Sequence, residues 1–290
     1  MKYSALIGNP VEHSIAPYLF DLITGKMNLE YAHLKINVPH SSDLKKYIEA
    51  MKQLEFVGFN ITCPYKVDMF NILSDSELDN EAKKIHSINS VVIKDNCLKG
   101  YNTDGKAAML SIEKFYKISA DDHVVILGSG GVAYPILYEI LKRTKNIVVF
   151  NENINDAVKM CSIIKSSVNC YDFSNEEIFI KELNKASIII NATSVGMFPN
   201  SNDSLISKKI FSKLDKKQRC YFDVIFNPWE TQFLKNVKGQ NSICISGGYM
   251  LIFQAILVLS LWLNNPVELS NNDIDDIVIK LKRFLKENYD

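Results

Sequence analysis

Neither sign of charge is in excess in this chain of 290 residues, where 33 Lys and Arg are matched by 33 Asp and Glu. That balance leaves no electrostatic basis for binding nucleic acid or an anionic membrane surface. Long hydrophobic runs are missing too. The longest, Met250 to Leu263, has 14 residues and carries Gln254 and Ser260, which is too short for a bilayer and suits a buried helix. Cysteine is sparse, with six residues (63, 97, 161, 170, 220 and 244), no CxxC pair and no metal-ligand spacing. This predicts reduced, mostly buried thiols in a cytoplasmic protein without a metal site. The apolar start breaks at Gly8-Asn9-Pro10, so a short strand rather than a signal peptide is expected there. There is no internal repeat and no low-complexity tract. What remains is a folded protein, 47% hydrophobic, with length for one large domain or two.

The feature around which the chain is organised lies near its middle. Val124-Val125-Ile126-Leu127 is an apolar run, Gly128-Ser129-Gly130-Gly131 a glycine turn, and Val132-Ala133 the start of a helical pattern that continues through Ile136, Leu137, Ile140 and Leu141. Strand, glycine turn and helix in that order are the fingerprint of a dinucleotide-binding βα unit. Gly128 permits the tight turn, Gly130 lets backbone approach a pyrophosphate, and small Ala133 lets helix pack on strand. Amides at a helix start have no intrahelical partner and suit an anion. An ordinary glycine turn is the alternative.

Apolar runs and helical spacings alternate on both sides of this turn. Strands are predicted at 3–8, 31–38, 56–62 and 89–93, then at 123–127, 146–150, 168–171, 187–191 and 220–225. Helices are predicted over about 17–26, 42–54, 105–117, 250–263 and 271–287. This order implies an α/β protein of two domains: a mostly parallel-sheet domain and a doubly wound, Rossmann-type nucleotide domain, with a cleft between them. The first domain is expected to take residues 1–104 and 239–290, the second 105–238.

Ligands in such folds bind at the carboxyl ends of parallel strands, and several polar residues fall there. Ser14 follows the first strand, Thr62 and Lys66 follow the third, Asn89 begins a strand, and Asp104 closes a loop. These groups suit a small, oxygen-rich ligand and are poor ligands for a soft metal. Lys66 and Asp104 form a chemically meaningful pair, because reduction of a ketone needs a proton donor at oxygen and a carboxylate to position it. A surface lysine and a turn aspartate remain the alternative. Gln254 stands in an almost wholly apolar helix, where an amide requires a hydrogen-bond partner, either backbone or a ligand hydroxyl.

Taken together, these stretches resemble the shikimate dehydrogenase family over nearly the whole length. Gly8-Asn9-Pro10-Val11-Glu12-His13-Ser14-Ile15-Ala16-Pro17 resembles the family's substrate loop. Gly58-Phe59-Asn60-Ile61-Thr62-Cys63-Pro64-Tyr65-Lys66 is similar to its catalytic-lysine motif, and Gly100-Tyr101-Asn102-Thr103-Asp104-Gly105 to its aspartate motif. The later blocks are Asn191 to Met197, Asn227 to Thr231 and Gly248 to Gln254. The resemblance implies reversible NADP-dependent reduction of 3-dehydroshikimate to shikimate in aromatic biosynthesis. It implies Lys66 and Asp104 as the catalytic pair, and Ser14, Thr62, Asn89, Asp104 and Gln254 around the substrate. The dinucleotide would lie on Gly128, Gly130, Gly131 and Ala133, with Thr193 and Met197 nearby. A small-molecule substrate and a monomer or homodimer are expected, with no nucleic acid or membrane partner.

Three positions depart from the family pattern. Ala16 stands where the family has a second serine that helps hold the substrate carboxylate. Losing a hydrogen bond to a charged group costs roughly 1.5–3 kcal/mol, or about ten- to a hundredfold in binding. Phe226 replaces a tyrosine before Asn227-Pro228, removing another hydroxyl. Asn151-Glu152-Asn153 replaces Asn-Arg-Thr. Glu152 lies 22 positions after Gly130 (152 minus 130), where an acidic residue hydrogen-bonds the ribose 2′-hydroxyl of NAD and would repel the 2′-phosphate of NADP. NAD is therefore expected to be preferred, unless Glu152 points to solvent and another cation serves the phosphate. A quinate/shikimate-type dehydrogenase and a non-catalytic dinucleotide-binding descendant are the competing functions.

Overall fold

The computed structural model describes residues 1–239 and 241–289. The chain divides into two compact units, Met1–Thr103 with Gln254–Lys280, and Asp104–Phe253 with the residues from Leu281 on.

The first unit runs β1 (Lys2–Gly8), α1 (Ala16–Lys26), β2 (Tyr31–Asn37), α2 (Leu44–Gln53), β3 (Gly58–Ile61), α3 (Lys66–Ile72), α4 (Asn80–Ile85), β4 (Ser90–Lys94) and β5 (Cys97–Tyr101). Its five-stranded sheet has the order β2-β1-β3-β4-β5. β1 pairs in parallel with both β2 and β3. The β4–β5 hairpin then runs antiparallel and completes the edge. The two residues that turn this hairpin, Asp95 and Asn96, have φ of 49° and 62°, the left-handed pair that a two-residue hairpin demands. One face of the sheet packs against Leu44, Ile48 and Met51 of α2 and Met69 of α3.

The second unit runs α5 (Asp104–Glu113), β6 (Val124–Leu127), α6 (Ala133–Ile140), β7 (Ile147–Phe150), α7 (Ile154–Ile163), β8 (Asn169–Tyr171), α8 (Glu176–Lys185), β9 (Ile188–Asn191), α9 (Lys208–Phe211), β10 (Arg219–Asp223), α10 (Gln232–Val237) and β11 (Ser242–Ile245). All pairings in its six-stranded sheet are parallel, in the order β11-β10-β9-β6-β7-β8. Every residue of β6, β7, β9 and β10 is buried, as a parallel sheet covered on both faces requires. Counted from β6, the spatial order is 3-2-1-4-5-6. The order reverses between β6 and β9, and a doubly wound sheet binds its ligand outside the carboxyl ends of the strands at that point.

The strand β11 lies beyond residue 238, where the sequence reading hands the chain back to the first domain. It pairs with β10 instead, Arg219 opposite Ser242 through Phe222 opposite Ile245. It is an edge strand with Cys244 exposed, so it lacks the apolar run that marks the central strands. The helix α11 (Gly247–Leu263) then carries the chain from the second unit into the first. Its Trp262 indole lies against β3, where a Cβ on Gly58 would come within 2.2 Å of Nε1. That Nε1 donates to the Val91 carbonyl at 2.9 Å. Trp262 also stacks with Phe20 of α1. The last helix, α12 (Asn271–Tyr289), is tied to α1 by Lys26, which pairs with Asp273 and Asp276 at 3.3 and 2.8 Å.

The cysteines correct one expectation. Cys161 and Cys220 are buried, Cys170 is half-buried, and Cys63, Cys97 and Cys244 are exposed. The latter three lie in a loop and two edge strands, where no packed layer covers them.

Candidate active site

The first unit gathers polar side chains where its parallel strands end. The loop after β1 is fixed by its own backbone, with Asn9 N–H donating to Cys63 O and Ser14 N–H to Val11 O. Ser14 Oγ accepts from the Ala16 amide at 3.2 Å. Lys35, near the end of β2, donates to the carbonyls of Glu12 and Ser14 at 2.6 and 3.3 Å. After β3, Thr62 N–H donates to Ile7 O, and Thr62 O accepts from the Tyr65 amide. The Tyr65 hydroxyl anchors this turn to Val38 O at 2.7 Å.

Lys66 is half-buried and is the first residue of α3. A cation at a helix N-terminus opposes the helix dipole, so local helix stability gives no reason for lysine here. Asn89 is fully buried. Its Nδ2 lies 3.0 Å from Thr103 Oγ1, and its Oδ1 accepts from the Thr103 amide at 3.0 Å. Its main-chain oxygen takes the Asn60 amide group. Asn89 therefore fixes the backbone just before Asp104. Gln254 is half-buried on α11.

The second unit begins with Asp104, buried as the first residue of α5. The following Gly105 lies so close to α6 that a Cβ there would be 2.3 Å from the Pro135 carbonyl oxygen. The glycine turn follows β6. Gly128 has φ of +104°, and a Cβ there would meet Thr193 Cγ2 at 2.6 Å, so both conformation and space require glycine. Gly130 and Gly131 are different. A Cβ on either would meet no atom within 4 Å, and neither has positive φ. Nothing in the protein requires these glycines, while open space before the start of α6 fits a dinucleotide phosphate. Ala133 is fully buried beneath the helix it opens.

Next to the turn stands the loop after β7. Asn151 Oδ1 accepts from the Ser129 amide at 3.1 Å, and its Nδ2 donates to Asn153 O at 2.9 Å. Asn153 in turn caps α7 by accepting from the Asn155 amide. Glu152, between them, is exposed and forms no ion pair among the described residues.

After β9, Thr193 Oγ1 donates to Asn191 Oδ1 at 2.7 Å. Asn191 Nδ2 donates to Asp223 Oδ1 at 3.0 Å, and the Thr231 hydroxyl to Asp223 Oδ2 at 2.5 Å. Burial pushes the Asp223 carboxyl up to about 6 against the pull of the hydrogen bonds it accepts from Thr231, Ile225 and Asn191. Met197 and Phe198 lie in the loop after β9, 47% and 52% exposed.

The predicted residues thus fall in two groups, each with its own bonding. Sequence reading missed Lys35 and Asp223, and it named Asn151, Asn191 and Thr231 only within motif blocks, without the bonds that they make. The partners of Lys35 and Asn151 are 21–23 residues away in the chain, so no local motif marks them. Among the described residues no helix is long and apolar enough to cross a membrane, and no three His, Cys, Asp or Glu residues are grouped to hold a metal ion.

Residues 6–91 match the family described as the shikimate dehydrogenase substrate binding domain. The chain is 34% identical over 284 residues to the shikimate dehydrogenase (NADP(+)) of Methanocaldococcus jannaschii, covering 96% of this chain and 98% of that protein. Among solved structures it is similar to a shikimate dehydrogenase in complex with NADP+, with a TM-score of 0.82, 30% identity and coverage of 97% and 95%. The shikimate 5-dehydrogenase of Listeria monocytogenes, in complex with shikimate and NAD, gives a TM-score of 0.84, 25% identity and coverage of 97% and 96%.

Proposed function

Because the chain belongs to the shikimate dehydrogenase family, we propose that it catalyses reversible, dinucleotide-dependent reduction of 3-dehydroshikimate to shikimate, with NAD preferred over NADP. The first unit binds the substrate and the second the dinucleotide. The observation that carries the chemistry is Lys66, a half-buried cation heading α3 against the helix dipole. A ketone reduced to an alcohol needs a proton at oxygen, and Lys66 gives it. In the oxidative direction the same amine takes the hydroxyl proton, with Asp104 positioning it. Ser14, Thr62 and Gln254 hold the remaining oxygens of the ring acid, while Asn89, fully buried on Thr103, acts by fixing the backbone before Asp104.

The dinucleotide, held by the Gly128–Gly131 turn, Thr193 and Met197, supplies the hydride when bound; Ala133, fully buried, only packs the helix behind the turn. Glu152 is the residue that would meet the dinucleotide's adenosine ribose. Like charges about 4 Å apart repel by ~1 kcal/mol at the dielectric of water and ~4 kcal/mol at an effective value of 20. That disfavours a 2′-phosphate by roughly fivefold to several hundredfold. With NAD bound, the carboxylate would accept from the ribose hydroxyl instead.

Ala16 and Phe226, which lack hydroxyls, support a second reading in which quinate is the better substrate. Steady-state assays crossing shikimate and quinate with NAD and NADP decide both points. Turnover of shikimate with the higher kcat/KM for NAD is expected. A higher kcat/KM for quinate shifts the substrate, a clear NADP preference removes the role given to Glu152, and turnover of neither acid contradicts the proposal.

A further inference from the structure

The β2 strand sends Tyr31, His33 and Lys35 to one face by its two-residue period. Tyr31 and His33 are buried, whereas Lys35 is exposed. Its ammonium does not simply extend into water. It donates to the carbonyls of Glu12 and Ser14, residues 23 and 21 positions earlier. An ammonium has three donors and no acceptor, so a third proton is left over. Among the described residues Lys35 forms no ion pair. Holding two carbonyls needs only a neutral donor, yet here a full positive charge is held on the loop that carries Ser14.

That loop lacks one hydroxyl that its family pattern has, at Ala16. Ser14 Oγ already accepts from the Ala16 amide, which leaves its own proton to donate. The Ser14 hydroxyl on the loop and the Lys35 ammonium that β2 brings against that loop form a donor set for a carboxylate, and a charge-assisted bond is stronger than the neutral one it replaces.

We propose that Lys35 is a carboxylate-binding residue of the substrate site, holding the acid group of the ring substrate together with Ser14 in place of the hydroxyl missing at Ala16. This assignment rests on the shikimate dehydrogenase reading. It makes recognition of the acid a charge pairing, so binding depends on ionic strength. The carbonyl bonds to Glu12 and Ser14 hold the ammonium in place before substrate arrives.

The test is steady-state kinetics with shikimate at saturating dinucleotide, over a series of salt concentrations, for wild type, Lys35→Gln and Lys35→Arg. Glutamine keeps two N–H donors without the charge. Lys35→Gln is expected to raise KM about tenfold or more with kcat within about twofold. The wild-type KM should rise with salt, and that dependence should be clearly weakened in Lys35→Gln, where Lys66 is the remaining cation, and restored in Lys35→Arg. An unchanged KM in Lys35→Gln overturns the assignment. So does a raised KM that keeps the wild-type salt dependence, because lysine is then only a strap for the loop. If the wild type turns over no shikimate, the functional reading fails and this assignment fails with it.

Discussion

Asn151 and Ser129 join the glycine turn to the loop after β7, with the Asn151 side-chain oxygen 3.1 Å from the Ser129 amide nitrogen. That bond fixes the glycine turn relative to the loop bearing Glu152. Asn151→Ala removes two hydrogen bonds, to Ser129 and to Asn153, and the one that holds the glycine turn is worth about 0.5–1.5 kcal/mol. Dinucleotide Kd should therefore rise about three- to tenfold, while KM for the ring acid stays within twofold. Titration of protein fluorescence with NAD checks it, and an unchanged Kd would remove Asn151 from the account.

Glu152→Arg tests cofactor choice. It exchanges a carboxylate for the fork that pairs with phosphate. The ratio of kcat/KM for NADP to that for NAD should increase by roughly a hundredfold or more. A ratio that does not move would mean that Glu152 faces water throughout the reaction.

Much of this architecture is legible in sequence because the relevant signals are local. Val124–Leu127, Ile147–Phe150 and Ile188–Asn191 are buried along their whole length, so each reads as an apolar run between polar turns. The glycine turn and Lys66 are legible for the same reason, each within one short segment. What escapes is pairing at a distance. β11 lies at a sheet edge with Cys244 exposed, so its four residues carry no clear period. Lys35 looks like any strand lysine until the loop of Glu12 and Ser14 folds over it. Arg219 is fully buried, with its guanidinium on Leu183 O, Asp215 O and Asn184 O at 2.8–3.3 Å and on the Asp215 carboxylate. Composition gives no hint that an arginine belongs to the core.

Asp223 makes the second unit sensitive to rising pH. Burial raises its folded-state value to about 6 from the ordinary 3.8. The folded chain therefore holds this proton more tightly than the unfolded one. Its contribution is fully present below pH 3.8 and is lost as pH rises through about 6, roughly 3 kcal/mol in all. Asp223→Asn lacks this slope, and it starts less stable by about 1–3 kcal/mol because the Thr231, Asn191 and Ile225 donors meet only one acceptor oxygen. Urea midpoints across pH 4–7 measure both effects. The same slope in both proteins would contradict this role.

His33 in the first unit has the opposite sign. It stacks on Phe20 with ring centroids 4.0 Å apart, and its Nδ1 lies 2.7 Å from Ser4 Oγ. Burial drives its value down to about 3. Its contribution is present above pH 6.5 and is lost as pH falls through about 3, because the unfolded chain takes up the proton first. His33→Phe keeps a ring against Phe20 and Trp262, so its stability should fall less than that of wild type between pH 6.5 and 4. Urea midpoints again decide, and parallel curves would remove His33 as an acid-sensitive site.

Lys66→Ala removes the amine proposed to take the hydroxyl proton when shikimate is oxidised. With NAD and shikimate both saturating, the variant should lose about a hundredfold to ten-thousandfold in kcat, with dinucleotide Kd within twofold of wild type. A kcat within about threefold of wild type would mean that Lys66 does not carry the proton.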